Sequence, residues 1–208
     1  MELHWHQLPS GVAPDTTLPP GLHLLLDEGD SAKHRLLPWL AGVQCPPAPG
    51  RVQCGTGHGN WHSGTDAYRA QAMAVPLTDC APEQPVADWL AAQQQRWPDW
   101  DAAAWQQHVQ GFALTPHLEK AWWQLSTGTQ RKFWQAAALA SGAVITLIDA
   151  PDAGLDRASI VYLGQALNAL ADQLAEAANP RWILVAHHDT LPGVQWDEVV
   201  QLPVDTNF

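Results

Sequence analysis

Residues 144–156 carry the sequence VITLIDAPDAGLD, and residues 125–130, upstream of them, carry LSTGTQ. Val144 to Asp149 is an apolar run of strand length that ends in an acid, as is typical of a strand buried on both faces. Residues 150–156 contain the Pro and Gly of a turn. Residues 157–178 then repeat Ile and Leu at spacings of three and four, which predicts a long helix with one apolar face. This order of strand, turn and helix predicts an α/β fold.

Other segments extend the same alternation of strands and helices. Apolar runs of strand length occur at residues 22–26, 72–75 and 182–186, and residues 130–141 have the composition of a helix. Apolar strands that alternate with helices predict a mostly parallel sheet with helices on both faces. The expected fold class is therefore α/β.

Two segments between these elements have a different character. Residues 45–65 are rich in Gly, Pro, His and Cys, which predicts turns and short edge strands. Residues 83–123 have helical composition, interrupted at residues 97–99, and Asp99 or Asp101 is suited to cap the helix that follows. We therefore expect a helical region inserted between the strands.

The composition excludes several functions. The chain has 208 residues, enough for one sizeable domain, and its formal net charge of −11 argues against a protein that tracks nucleic-acid phosphates. Three cysteines at irregular spacing fit a reducing compartment better than a disulfide framework. The first residues lack the basic and apolar regions of a signal peptide, and the chain has no membrane-length apolar run. We expect a cytoplasmic protein.

The succession in residues 125–156 resembles the signature motif, Walker B strand and D-loop of the ATP-binding cassette (ABC) ATPases. LSTGT corresponds to the family pattern L-S-G-G-Q, and DAPDAGLD corresponds to DEPTAGLD. The resemblance implies a single ABC-type nucleotide-binding domain over residues 1–208. It also implies a RecA-like P-loop NTPase core of about residues 1–76 and 133–208, with an inserted α-helical lobe at about 77–132. In transporters of this family, that lobe docks onto the membrane subunits.

The phosphate loop of this pattern is degraded. Residues 36–42, LLPWLAG, resemble the family's LLRLLAG helix and align residues 27–34, DEGDSAKH, with the motif G-x-x-x-x-G-K-[ST]. Only Lys33 is retained. The two glycines are replaced by Asp27 and Ala32, and the hydroxyl that would hold Mg²⁺ is replaced by His34.

Two further features of this loop argue against a bound triphosphate. Asp27, Glu28 and Asp30 place three carboxylates within four residues. A like-charge contact at ~4 Å costs roughly 4 kcal/mol at an effective dielectric constant of about 20, or about three decades of affinity. In addition, proline fits only the first turn of a helix, so Pro38 predicts a helix that begins after Lys33 and a remodelled anion-binding end.

The catalytic positions implied by the resemblance are mixed. Asp149 matches the Walker B aspartate, which holds Mg²⁺ through water, but Ala150 stands where the family has its catalytic glutamate. His188 matches the switch histidine, and Leu77 falls where the Q-loop glutamine is expected. We therefore predict that this chain has no catalytic residue of its own and that ATP and Mg²⁺ bind weakly or not at all.

The signature and D-loop positions are better retained, with Ser126, Gly128 and Asp156 in place. In the family, the signature motif meets the γ-phosphate bound on the opposite subunit of a dimer. Ser126 also has the character of a helix N-cap, and both roles stay open.

These residues predict a catalytically degenerate ABC ATP-binding subunit. Its expected partners are a second ABC ATPase subunit, in a homo- or heterodimer, and an integral membrane transporter subunit. It would then lie peripherally at the inner face of the membrane. The alternatives are a pseudo-ATPase scaffold or regulator that needs no nucleotide, and an active ATPase in which an unusual loop replaces the missing groups.

Two clusters are ambiguous in the sequence. Six of the twelve tryptophans lie in the expected helical lobe, where they predict a docking surface with some rings in the core: Trp89, Trp97, Trp100, Trp105, Trp122 and Trp123. Cys54, His58 and His62 are spaced by four, with Cys45 upstream, and sulfur and imidazole suit zinc or copper. Their surroundings are not helical, so this spacing does not align them, and we expect no metal site there.

Overall fold

A five-stranded, wholly parallel sheet forms the centre of the protein in a computed structural model, which describes residues 1–57, 59–76 and 80–204. The strands stand in the order β6, β7, β8, β3 and β9, with bounds Ala72–Val75, Ile145–Asp149, Trp182–His187, Gly21–Leu26 and Glu198–Gln201. The three central strands are apolar and buried on both faces, because helices cover the sheet on each side. The α/β prediction is confirmed.

The register of the sheet brings three strand ends to one edge. Leu26 of β3 lies opposite His187 of β8, and Asp149 of β7 lies opposite Ala186 of β8. The loops that follow these strands therefore leave the sheet side by side. We call this the carboxyl edge, and the opposite side, where the same strands begin, the amino edge.

A second sheet is antiparallel, with strand order β2, β1, β4 and β5 and bounds Thr16–Leu18, Glu2–His6, Arg51–Thr56 and Gly59–His62. Its β4 and β5 confirm the short strands expected in residues 45–65. Strands β1, β2 and β9 were not predicted from the sequence. Leu3 and Trp5 of β1 are fully buried, so this strand supplies part of the core between the sheets.

Six α-helices complete the described residues: α1 Ala32–Leu40, α2 Asp66–Arg69, α3 Val86–Arg96, α4 Ala102–Gly111, α5 Thr127–Ala140 and α6 Arg157–Glu176. Helices α3 and α4 and two short 3-10 helices lie between β6 and α5, where the helical lobe was expected. The Asp101 carboxylate accepts hydrogen bonds from the N–H groups of Ala103 and Ala104, so Asp101 is the predicted cap. The exact boundaries of the lobe remain a prediction.

The tryptophan cluster is mainly core, which agrees with the expectation that some of its rings are buried, and its role in docking remains a prediction. Trp89, Trp97, Trp105 and Trp122 are buried, because α3, α4 and α5 pack their apolar faces against one another. Trp123 is different, since it is 62% exposed.

The expected start of α1 is also wrong. The helix begins at Ala32, before Lys33, and contains Pro38 as its seventh residue. Pro38 removes the hydrogen bond to the carbonyl of His34, which is exposed, and the helix ends two residues later. The Pro38 carbonyl accepts hydrogen bonds from the N–H groups of Val43 and Gln44, which close the helix at its C-terminal end.

Candidate nucleotide site at the carboxyl edge

The residue that follows β3, Asp27, fills the loop that leads into α1. Asp27 is fully buried, and its N–H donates to the carbonyl of His187 at 2.8 Å. Its carboxylate Oδ2 accepts the backbone N–H of Lys33, also at 2.8 Å. The other oxygen, Oδ1, is buried and has no hydrogen-bond partner in the described part of the chain. A carboxylate of the protein thus binds an N–H of the first turn of α1, where a phosphate loop would bind an anion.

The ammonium of Lys33 is held by two more carboxylates. Its Nζ lies 2.6 Å from Asp30 Oδ1 and 2.9 Å from Asp149 Oδ1, and its side chain is only 4% exposed. Burial acts to lower the pKa of Lys33, but the hydrogen bonds to Asp30 and Asp149 outweigh it and raise the pKa above its usual value. The bond to Lys33 also lowers the pKa of Asp30. The retained lysine is therefore already paired within the chain.

Mg²⁺ and a triphosphate do not fit the groups at this edge. Two carboxylates, from Asp30 and Asp149, hold the ammonium of Lys33, and a third, from Asp27, holds its backbone N–H. A triphosphate would have to displace Asp27 from α1 and both carboxylates from the lysine. His34 is exposed and supplies no hydroxyl to the metal.

The C-terminal segment also lies against this loop. A Cβ added to Gly29 would contact Cγ1 of Val204 at 3.6 Å. The Leu202 N–H donates to the Leu26 carbonyl at 2.8 Å, so the chain that follows β9 runs beside the end of β3. The space around Gly29 is therefore partly taken by this chain itself.

Ala150 stands at the position of the expected catalytic glutamate, in a fixed and unusual backbone conformation. Its φ is 45°, in the left-handed region that L-residues rarely adopt. Its N–H donates to the carbonyl of Ala186 at 2.9 Å, and its carbonyl accepts Nη1 of Arg131 at 3.0 Å. A methyl group cannot accept a proton or position a water there. Arg131 was not predicted from the sequence to contribute to this edge.

The two histidines at the end of β8 have different surroundings. His188, the predicted switch histidine, is exposed, and its ring lies 4.2 Å from that of His187. His187 is buried, and its Nε2 lies 2.9 Å from Oδ1 of Asp152 in the loop after β7. His187 therefore makes the internal contact between the two loops, and no sequence pattern predicted this contact.

The signature and D-loop residues pack against each other within this chain. Ser126 caps α5, because its Oγ accepts the N–H of Thr129 at 3.2 Å. A Cβ added to Gly128 would overlap the carbonyl oxygen of Gly154. These contacts give Ser126 and Gly128 structural roles that need no second subunit.

Asp156, in the D-loop, has an equally local role. It caps α6 by accepting the N–H of Ser159 at 2.9 Å, and it binds Nζ of Lys132 at 2.5 Å. The hydrogen bond from Lys132, followed by that from Ser159, holds the pKa of Asp156 well below its usual range. Asp156 thus ties α6 to α5.

Two predicted positions lie outside the described residues: Leu77, at the Q-loop position, and His58, in the cysteine and histidine cluster. In the rest of that cluster, Cys54 is buried and burial raises its pKa to about 12, whereas Cys45 is exposed. Within residues 1–57, 59–76 and 80–204, no group of three or more His, Cys, Asp or Glu side chains is placed to hold a metal ion.

The parallel sheet, the loop from β3 into α1 and the inserted helices define the class of P-loop NTPase folds with a helical lobe. Comparison with solved structures narrows this class. One similar structure is an ATP-binding subunit of an ABC transporter, with 19% identity and a TM-score of 0.77 over 98% of this chain and 86% of that chain. Another is a putative ABC transporter ATP-binding protein from Pyrococcus furiosus, with 15% identity and a TM-score of 0.72 over 97% of this chain and 98% of that one.

The chain therefore has the fold of the ATP-binding subunits of ABC transporters, and the resemblance found in residues 125–156 is confirmed at the level of the fold. No protein-family model matches the sequence. No curated protein matches it either. Among the residues that the structure describes, no helix is both long and apolar enough to cross a membrane.

Proposed function

We propose that this protein is a catalytically silent, ABC-type ATP-binding subunit that acts by association. Its partner would be a competent cassette, in a heterodimer, together with an integral membrane transporter subunit. The chain would then work in the cytoplasm, peripherally at the inner face of the membrane. ATP and Mg²⁺ would act at the partner's site, and binding at this chain's own site would be weak or absent.

The observation that carries this proposal is the internal pairing of Lys33. Its Nζ contacts Asp30 at 2.6 Å and Asp149 at 2.9 Å, while its backbone N–H is bound by the buried Asp27. In a working phosphate loop, the lysine and the first N–H groups of the helix meet the phosphates. A nucleotide would have to break all three contacts and accept three carboxylates nearby.

Ala150 supports the catalytic part of the proposal. The backbone at Ala150 has a φ of 45° and is fixed by bonds to Ala186 and Arg131. A glutamate introduced at this position would also have to adopt the left-handed conformation, so we expect Ala150→Glu alone to leave the protein inactive.

The role in a dimer depends on Ser126 and Gly128 at the start of α5. Ser126 is exposed, and the first N–H groups and the dipole of a 14-residue helix suit a γ-phosphate on a facing subunit. A competent partner would supply its own phosphate loop, magnesium site and catalytic carboxylate. This chain would supply the opposing helix end.

One observation favours the second candidate, a scaffold or regulator that needs no nucleotide. Ser126 caps α5 and Gly128 packs on Gly154 within this chain, so both residues are explained by the stability of the fold alone. The two functions therefore differ in whether the exposed end of α5 affects the partner's ATP turnover.

The first experiment measures steady-state phosphate release by the isolated chain. Wild type and Ala150→Glu are both expected at background, because the phosphate-binding groups are already paired. Turnover by wild type that disappears in Lys33→Ala would overturn the silent-site proposal.

The second experiment measures ATP turnover by the reconstituted pair. Ser126→Asp keeps a good N-cap and adds a negative charge, so it tests the facing phosphate without removing the cap. We expect turnover to fall about ten-fold, or about 1.4 kcal/mol, whereas Ser10→Asp, a substitution at another exposed serine, leaves it unchanged. Equal turnover of Ser126→Asp and wild type, in a pair that still forms, would favour the scaffold.

A further inference from the structure

A partly open cavity of about 490 Å³ lies at the amino edge of the parallel sheet, far along the strands from the candidate nucleotide site. Its walls come from the segments that precede β7 and β8, the C-terminal part of α6, the β4–β5 hairpin and the loop before α4. The residues that matter for its chemistry are Trp61, Asp99, Val144, Leu170, Leu174 and Arg181.

Arg181 brings a guanidinium cation to the wall of this cavity. Its Nε donates to the carbonyl of Ala143 at 2.9 Å, which fixes the guanidinium. Its Nη2 is buried and has no hydrogen-bond partner, and no carboxylate oxygen lies within 4.0 Å, among the residues that the structure describes. A buried donor without a partner is costly, and an unpaired cation more so. The natural complement of this group is a carboxylate.

The electrostatics of the cavity limit which carboxylates fit. Burial lowers the pKa of Arg181 to about 10, while the charges of Asp99 and Asp101 act in the opposite direction. Asp101 is committed to the N–H groups of α4. Asp99 is exposed and makes no hydrogen bond or ion pair within the described ranges. A simple anion would meet two carboxylates, but a zwitterion would match both signs of charge.

The remaining walls are apolar. Leu170 and Leu174 of α6 are partly buried neighbours on one helix face, and Val144, the residue before β7, also lines the cavity. Pockets that combine an apolar lining with a few convergent polar groups are the usual form of small-molecule sites. The volume is in the range of such sites.

We propose that this cavity binds a free α-amino acid with an apolar side chain. Its carboxylate binds the guanidinium of Arg181, its ammonium binds the carboxylate of Asp99, and its side chain packs on Leu170 and Leu174. The site is independent of nucleotide binding and of any partner subunit.

The first test uses three ligands that differ by one group, titrated into the full chain and followed by NMR amide shifts. The probes are L-leucine, leucinamide, which lacks the carboxylate, and 4-methylpentanoate, which lacks the ammonium. We expect saturable binding of leucine, and affinity at least ten-fold lower for each of the other two. No saturation by leucine at about 10 mM, or equal affinity for either analogue, would overturn the assignment.

The second test locates the site with variants. Arg181→Gln and Asp99→Asn are expected to weaken leucine binding about ten-fold or more, whereas Arg157→Gln, an exposed arginine at the other end of α6, leaves it unchanged. Because Arg181 also binds the Ala143 carbonyl, its substitution affects folding. Asp99 is exposed, so Asp99→Asn keeps the fold and decides the question alone. Unchanged affinity in Asp99→Asn would overturn the proposal.

Discussion

The two edges of the parallel sheet differ in how their polar groups are paired. At the carboxyl edge, Asp27, Asp30 and Asp149 occupy the backbone and the side chain of Lys33. At the amino edge, Arg181 has a buried donor with no partner among the described residues, beside a cavity of about 490 Å³. Ligands of open α/β sheets ordinarily bind at the carboxyl edge. The capacity of each edge to bind a ligand therefore depends on whether its polar groups are already satisfied.

The largest effect is expected from Gly142 at the amino edge. Gly142 has a φ of 69°, and a Cβ there would overlap the carbonyl oxygen of Asp99, which forms the junction with α4. Gly142→Ala should destabilise the protein by about 3 kcal/mol, because it adds a steric overlap to an unfavourable φ. Urea denaturation measures the loss.

Gly193 is a matched control for this prediction. Its φ is 78°, but nothing lies within 4 Å of an added Cβ. Gly193→Ala should therefore destabilise the protein by only about 1 kcal/mol, which is the cost of the unfavourable φ without a steric overlap. Equal losses in the two variants would mean that the close approach of Asp99 does not constrain the amino edge.

The paired lysine at the carboxyl edge gives the next effect. Lys33→Met should destabilise the protein by about 2 kcal/mol, since it leaves Asp149 partly buried without its cation. This loss is smaller than that for a fully buried ion pair, because Asp30, the other partner of Lys33, is 63% exposed. Lys132→Met, which breaks the ion pair with the more exposed Asp156, should cost less than about 1 kcal/mol. Thermal and urea unfolding measure the loss of stability in both variants. A larger loss in Lys132→Met than in Lys33→Met would contradict the ion pairing described at the carboxyl edge.

A pH effect is expected from His108, which lines a smaller cavity next to Arg181. Burial lowers the pKa of His108 from 6.5 to about 4, against the opposing charge of Asp101. The unfolded chain then binds a proton at this histidine more readily than the folded one. The stability that the neutral His108 contributes is therefore present above pH 6.5 and is lost as the pH falls towards 4. Between pH 7.5 and 5.5 the loss should be about 1.3 kcal/mol.

His108→Gln isolates this effect, because it removes the titrating group. The difference in unfolding free energy between wild type and His108→Gln should change by that amount over the same pH range, which stays above the pI of about 5.1. Parallel pH profiles of the two proteins would show that His108 does not titrate as its burial requires.

Much of the fold could be predicted from local sequence patterns. The apolar run that becomes β7 and the leucine spacing of α6 are local patterns that can be recognised without knowledge of the tertiary contacts. The alternation of Leu3 and Trp5 with polar residues in β1 is a strand signal too, but it spans only five residues, and this strand was not predicted. Pro38 predicted a start of α1 after Lys33. The helix begins earlier because it is held by buried residues such as Ala32, Leu36 and Leu40, whose tertiary contacts a local proline rule does not include.

The candidate sites were less predictable, because they depend on contacts between distant segments. The motif pattern placed Lys33 and Asp149 in one site, but no local signal shows that they bind each other or that Asp27 caps α1. The left-handed backbone at Ala150 has no sequence signal either, since alanine is not typical of that conformation. The amino-edge cavity joins residues as distant as Asp99 and Arg181 and became visible only in the structure.

We propose that the carboxyl edge is closed to nucleotide by its own side chains. The most direct test is calorimetric titration of the full chain with Mg-ATP, beside Lys33→Met as the reference without the ammonium. We predict no saturable binding stronger than about 1 mM in either protein. Micromolar affinity in the wild type that is lost in Lys33→Met would contradict this proposal.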